Sequence, residues 1–148
     1  LALNAIALWR SVSGAPAPKQ AATDQDVWAE RGHDVCSTVY GGQYEGLKNN
    51  VRALHPDLER WMIEEGYGKV LGRPGFSLVD RELNIVALLV VLGVPRQLYS
   101  HLRGALNAGA APALVSEALD LSANFTSDEN RRIAVETWEA VSARSRGN

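Results

Sequence analysis

Cysteine is nearly absent from this sequence, since Cys36 is the only one among 148 residues. A single cysteine excludes an intramolecular disulfide, a CxxC redox pair and a cysteine-based zinc site. Strand signals are missing as well, because no apolar alternation of period two persists along the chain. The longest apolar run, Ile85 to Leu92, is much shorter than the roughly 20 residues that span a bilayer. The sequence therefore predicts neither a disulfide-stabilised fold, nor a β-protein, nor a membrane-spanning helix.

The chain also lacks a large excess of either positive or negative charge, and its formal net charge is −2. No basic cluster is present that would indicate nucleic acid or a membrane surface as a partner. The composition, with 46% hydrophobic and 22% charged residues, is that of an ordinary globular domain with a sizeable core. A single thiol is compatible with a reducing compartment, and we expect a cytoplasmic protein.

The N-terminal part of the chain differs in composition from the rest. The apolar stretch LALNAIALW at residues 1–9 indicates a short helix docked on the domain or on a neighbouring subunit, and the remnant of a signal peptide is the alternative. Residues 12–23 are rich in Ala, Pro and Gly and are typical of a linker. We therefore divide the chain into an arm with linker, residues 1–22, and an all-α domain, residues 23–148.

Helix start and stop signals divide that domain into a series of short helices. Ser77, followed three residues later by Asp80, is a capping-box arrangement that predicts a helix start. Gly93 predicts the end of this helix, and Pro95 predicts the start of the next one. Further start or stop signals are Thr23, Gly41, Pro56, Gly109, Pro112 and Ser127. The fold class is therefore all-α, with about six to eight helices in one bundle.

The helix that begins after Ser77 is apolar nearly all round, so it is predicted to be the central buried helix. Its first turns nevertheless carry Arg81 and Glu82, both above apolar rows at about 100° per residue. Because a buried lone carboxylate is costly, we expect Glu82 either to pair with another group or to face a cavity.

His101 lies on the following helix, near its apolar face. The inward stripe of this helix consists of Leu98, Leu102 and Ala105. By helix geometry His101 lies about 60° from the centre of the stripe, whereas Arg96 and Arg103 fall on the opposite, outward face. Histidine is the side chain best suited to exchange a proton near neutral pH. His101 and Glu82 are therefore candidate catalytic residues, and the alternative is a core histidine with a charged helix end.

The other reactive side chains give weaker signals. His33 and Cys36 are three residues apart on one helix, but two ligands without partners do not predict a metal site. His55 precedes Pro56 at a helix start and is expected to be structural. Arg73, in the turn GRPG, is either a turn residue or an anion binder, since arginine binds carboxylates with two parallel hydrogen bonds.

The segment YGKVLGRPGFSLVDRELNIVALLVVLGVPRQLYSHLRGALNAGAAPALVSEAL, Tyr67 to Leu119, resembles the carboxymuconolactone decarboxylase family. The pieces that carry the resemblance are RPG, then RE at the start of an apolar helix, then LG, and finally HLRGALNAG. The preceding stretches RG…VYGG and HPDLERWMIEEGYG match more loosely, so the similarity covers approximately residues 30–120.

The resemblance implies an all-helical, alkylhydroperoxidase-D-like fold that assembles as trimers or hexamers. In the related peroxidases a glutamate precedes a histidine by the same 19 residues that separate Glu82 from His101. The two peroxidase cysteines would fall on Val94 and Gln97. Without those thiols the disulfide chemistry of the peroxidases is excluded.

The decarboxylases of the family use neither a metal nor an organic cofactor and act on a small carboxylated lactone. On this pattern Arg81 and Arg73 would bind the substrate carboxylates. His101 would protonate the carbon from which CO2 departs, and Glu82 would orient His101 or relay the proton.

One segment departs from the family pattern. Residues Ser122 to Val135, SANFTSDENRRIAV, are polar and charged, where the decarboxylases have a proline and small residues. Two alternatives therefore stay open. One is a catalytically inactive, oligomeric binding or scaffold protein, and the other is an isomerase or lactone hydrolase on the same scaffold.

Overall fold

A computed structural model describes residues 2–14 and 25–145, and this part of the chain is helical with no strand. Its eight α-helices are α1 (Ala2–Ser13), α2 (Gln25–Tyr40), α3 (Tyr44–Leu54), α4 (Pro56–Trp61), α5 (Leu78–Leu92), α6 (Pro95–Asn107), α7 (Pro112–Ala123) and α8 (Asp128–Ser145). A 3-10 turn, Gly41–Gln43, joins α2 to α3, and a π-helix, Met62–Leu71, continues α4. The predicted all-α class is confirmed. The division at residues 22 and 23 stays a prediction, because Thr23 and most of the linker lie outside the described residues.

The helix boundaries follow the local signals of the sequence. The backbone N–H of Asp80 donates to Ser77 Oγ at 3.1 Å, which caps the start of α5. Gly93 ends α5 in the left-handed conformation, with φ of 66°, which residues without a Cβ adopt at little cost. Prolines occupy the first position of α4, α6 and α7, where the missing N–H is not needed.

Two apolar clusters form the core. The larger one lies among α5, α6, α7 and α8, and its fully buried members include Val86, Leu102 and Val115. The smaller one lies between α2 and the π-helix and contains Cys36 and Tyr67. Helix α6 packs against both α5 and α2, so the two clusters meet along α6.

The backbones of α2 and the π-helix approach each other closely. A Cβ added to Gly32 would overlap the carbonyl oxygen of Ile63, and one added to Gly68 would overlap the carbonyl oxygen of Trp28. Only residues without a side chain fit at these two positions. The π-helix itself was not predicted, since apolar periodicity does not distinguish it from an α-helix.

The expectation that α5 is the central buried helix is wrong for one of its faces. Val86 and Val90 are buried, whereas Leu88 and Leu92 are 59% and 61% exposed. Among the described residues α5 packs chiefly on α6, α7 and α8, which leave an apolar outer face uncovered. Helix α1 likewise exposes apolar side chains, Trp9 among them. In the part of the chain that the structure describes, no helix is both long and apolar enough to cross a membrane.

Candidate active site

The structure places Glu82 and His101 together between α5 and α6. Glu82 is fully buried, and the side chain of His101 is 18% exposed. Glu82 Oε2 lies 2.9 Å from His101 Nδ1, a hydrogen-bond distance. A carboxylate in this environment requires a partner, and His101 supplies it. Their role in catalysis stays a prediction.

A glycine on α6 makes room for the carboxylate. A Cβ added to Gly104 would lie 2.7 Å from Glu82 Oε2 and 2.7 Å from Val39 Cγ1. Both distances are shorter than van der Waals contact, so any side chain at this position would displace Glu82 or Val39. Gly104 is therefore part of the site although it has no chemistry of its own.

The hydrogen bond determines how the imidazole is oriented. A carboxylate accepts, so the proton shared with Glu82 is carried on His101 Nδ1, and Nε2 is the nitrogen left to exchange a proton with another molecule. The second carboxylate oxygen, Glu82 Oε1, is buried and has no hydrogen-bond partner among the described residues. Among the described residues, His101 is thus the side-chain partner of the Glu82 carboxylate, which burial leaves with little solvation.

Two tyrosines and the cysteine form a buried polar group next to this pair. The hydroxyls of Tyr40 and Tyr67 are hydrogen-bonded to each other, and the two rings meet edge to face at 6.1 Å between centroids. Burial, with a smaller contribution from the negative charge of Glu82, raises the pKa of both phenols. Burial also raises the pKa of the Cys36 thiol to about 12. All three groups are therefore neutral at physiological pH and can donate hydrogen bonds.

The sequence reasoning missed Tyr40 and Tyr67 as part of the site. Cys36 and Tyr40 are four residues apart on α2 and share one face of that helix. This spacing was available from the sequence, but it does not reveal that the face meets Glu82.

Arg81 and Arg73 close the turn that leads into α5. Arg81 Nη2 donates to the carbonyl oxygen of Arg73 at 2.8 Å, and Arg73 Nη1 donates to that of Val70 at 2.6 Å. Burial, together with the positive charge of Arg73, lowers the pKa of Arg81. Arg81 Nε is buried and has no partner among the described residues. Both arginines are thus engaged with the backbone, and their binding of a substrate carboxylate stays a prediction.

The expectation of an outward position is wrong for Arg103. Arg96 is exposed, but Arg103 is half-buried, and both line a cavity of about 420 Å³ that also contains Tyr40 and Ser100. Helix α2 packs on this side of α6, which the periodicity of α6 alone does not show.

The two other histidines, His33 and His55, make structural hydrogen bonds. His55 Nδ1 accepts the backbone N–H of Asp57 at 3.1 Å and so caps α4, as expected. His33 Nδ1 is hydrogen-bonded to the Tyr44 hydroxyl. Within residues 2–14 and 25–145, no three His, Cys, Asp or Glu side chains are grouped so that they could hold a metal ion.

The polar segment Ser122–Val135 caps helices. Thr126 Oγ1 and Asn130 Nδ2 both donate to the carbonyl oxygen of Val91, at 3.3 and 3.1 Å. Arg131 Nη2 donates to that of Ala123 at 2.8 Å. These bonds satisfy carbonyl groups at the C-terminal ends of α5 and α7.

Comparison with protein families identifies the scaffold on which this site lies. Residues 56–139, which contain both Glu82 and His101, match the model of the carboxymuconolactone decarboxylase family. The chain belongs to this family. The match also includes Tyr67 and Gly104, whereas α2, with Cys36 and Tyr40, lies before it.

A related protein, "Peroxisomal protein 2" of Schizosaccharomyces pombe (strain 972 / ATCC 24843), is 30% identical over 109 residues. The aligned region covers 72% of this chain and 51% of the relative. The chain thus spans about half the length of this relative, whose name states no reaction.

Proposed function

We propose that this member of the carboxymuconolactone decarboxylase family is a cofactor-independent lyase. Its substrate would be a small carboxylated lactone or a related cyclic acid, and its chemistry proton transfer. The observation that carries the proposal is the buried Glu82 carboxylate within hydrogen-bond distance of His101 Nδ1. A carboxylate that fixes one imidazole nitrogen and leaves the other free is an arrangement suited to general acid–base catalysis.

The proposed reaction breaks the bond between a ring carbon and its carboxylate. CO2 leaves, and the electron pair of that bond is delocalised towards the neighbouring carbonyl group. His101, protonated on Nε2, then delivers this proton to the carbon, and solvent restores it. Glu82 stabilises the imidazolium and keeps the ring orientation fixed, while Arg81 and Arg73 would bind the carboxylates of the substrate.

The test is a turnover assay of the purified chain with 4-carboxymuconolactone and related lactones, in which CO2 release and ring opening are measured separately. His101→Ala should lower CO2 release by a factor of about 10² or more, the usual contribution of a general acid or base. His33→Gln, which changes a histidine outside the pair, is the control and should retain activity. Full turnover by His101→Ala would refute the assigned role.

The other outcomes of this assay separate the alternatives. Ring opening without CO2 would indicate a lactone hydrolase, and a rearranged product that keeps its carboxylate would indicate an isomerase. No turnover of any lactone by the folded chain would favour the inactive binding or scaffold protein.

We also propose that the chain self-associates into a trimer or hexamer. The exposed apolar side chains Leu88 and Leu92 on α5, and Leu121 and Phe125 near the end of α7, support this. Leu88→Glu combined with Leu92→Glu should give a folded monomer in sedimentation experiments, whereas Leu54→Glu on α3 should not change the assembly. A monomeric unsubstituted chain would contradict the proposal.

The cytoplasm is our proposed location, from the single thiol and the composition. The name of the Schizosaccharomyces pombe relative instead refers to the peroxisome. Microscopy of the tagged, full-length protein with markers for both compartments distinguishes the two.

A further inference from the structure

Two adjoining cavities lie on the side of α6 that faces away from His101. The first has a volume of about 420 Å³ and the second about 390 Å³, and Gln43 and Arg103 line both. Ser100 also lines the first cavity. Arg103 is two residues after His101, and each residue corresponds to about 100° of rotation on a helix. The surface around Arg103 is therefore distinct from the one that His101 occupies. Each volume is within the usual range of small-molecule pockets.

The described residues that line these cavities carry positive charge and no negative charge. Arg96 lines the first cavity, Arg144 the second and Arg103 both, while no Asp or Glu lines either. Four other arginines, Arg52, Arg60, Arg131 and Arg132, are by contrast paired with carboxylates, as in the bonds from Arg52 to Glu59 at 2.9 and 3.0 Å. An uncompensated set of cations attracts anions.

Arg103 is the central member of this set. It is half-buried, and its guanidinium makes no hydrogen bond or ion pair with the described part of the chain. Arg144 Nη1 donates to the Tyr99 hydroxyl at 2.8 Å, which holds its guanidinium beside the second cavity. The side-chain amides of Gln43 and Asn50 add uncharged donors to the first cavity.

We propose that the two cavities form a binding site for a small organic dianion, a ligand with two carboxylates or with a phosphate group. Arg103 would bind one charged group with the planar fork that fits carboxylate and phosphate oxygens. Arg96 and Arg144 would contact the remaining charge from the two sides. Tyr40 lines the first cavity and is hydrogen-bonded to Tyr67, so the anion site adjoins the buried polar group of the candidate active site.

Calorimetric titration of the full chain with succinate, inorganic phosphate and acetate tests this site. We expect saturable binding of one dianion per chain and weaker binding of acetate. Arg103→Gln should weaken dianion binding by a factor of about ten or more, because it removes a charge-assisted hydrogen-bond partner. Arg60→Gln, which removes an exposed arginine that is paired with Asp57 on α4 and lines neither cavity, should bind as the unsubstituted chain does.

The two dianions distinguish the possible sources of the ligand. Tighter binding of succinate indicates a dicarboxylate, and tighter binding of phosphate indicates a phosphate ester. Absence of dianion binding, equal affinity for acetate, or unchanged affinity in Arg103→Gln would each overturn the proposal. Arg96→Gln is a second variant for the case that Arg103→Gln does not fold, and it should also weaken binding. His101→Ala should keep dianion binding, so failure of the lyase assay leaves this test independent.

Discussion

Substitution of Gly104 by alanine tests the packing around Glu82 without any knowledge of the substrate. In a helix interior, alanine ordinarily stabilises relative to glycine by roughly 0.5–1 kcal/mol, because it reduces the freedom of the unfolded chain. At Gly104, however, the added Cβ would lie 2.7 Å from Glu82 Oε2 and 2.7 Å from Val39 Cγ1. Overpacking of a buried site costs about 1–3 kcal/mol, so steric overlap should exceed the gain in helix propensity.

Gly46 on α3 provides the matched control. A Cβ at this position would have no other atom within 4 Å, so Gly46→Ala should show the ordinary stabilisation. We expect Gly104→Ala to lower the free energy of unfolding by about 1–2 kcal/mol, and therefore the two variants to differ by about 1.5–3 kcal/mol. For a domain of this size, 1 kcal/mol corresponds to roughly 4 °C in the unfolding midpoint.

Urea unfolding and thermal unfolding of the two variants measure this difference directly. Nitrogen NMR of the His101 ring provides a second readout, since displacement of Glu82 should change the signal of Nδ1. If Gly104→Ala is as stable as Gly46→Ala and the His101 signal is unchanged, the carboxylate does not occupy the space that we assign to it.

Three further predictions concern stability. Glu82→Gln should change the free energy of unfolding by only about 1 kcal/mol, because no buried charge is left without a partner when the carboxylate beside the partly exposed His101 is removed. A loss above about 3 kcal/mol in urea unfolding would contradict this. Because burial raises the pKa of the Cys36 thiol to about 12, this thiol ionises at a higher pH in the folded chain than in the unfolded chain. Its contribution to stability is therefore complete below about pH 9, and above that pH it is lost at up to about 1.4 kcal/mol per pH unit. Unfolding measured from pH 8 to 11 should show this decline, and Cys36→Ala should make it shallower. Gly32→Ala should destabilise by about 3 kcal/mol or more, because its Cβ would overlap the backbone of Ile63; thermal unfolding with a midpoint close to that of Gly46→Ala would contradict the close approach of α2 and the π-helix.

The all-α class and most helix boundaries could be predicted because their causes are local. The Ser77 cap, the left-handed Gly93 and the first-turn prolines act within a few residues of themselves, so their effect can be inferred from neighbouring letters. The apolar stripe of α6 likewise follows from spacing, and Leu98 and Leu102 are indeed buried. The same spacing singled out Glu82 and His101 as residues that burial alone does not require.

The partners of these side chains depended on how the helices pack. Periodicity gives the direction of a side chain on its own helix but not the neighbour that it meets, so the position of Arg103 beside a cavity was missed. The same reason applies to Tyr40, which reaches the polar group only because α2 crosses the π-helix closely at Gly32 and Gly68.

The α-helices, most of their ends and the two ionisable residues of the candidate site follow from the order of the amino acids alone. Three features depend instead on helix packing: the 2.9 Å contact of Glu82 Oε2 with His101 Nδ1, the room that Gly104 leaves for it, and the exposed face of α5. Helix signals are set by bonds within one or two turns. The site instead depends on residues from α2, the π-helix, α5 and α6, and their mutual distances exist only once those helices have packed.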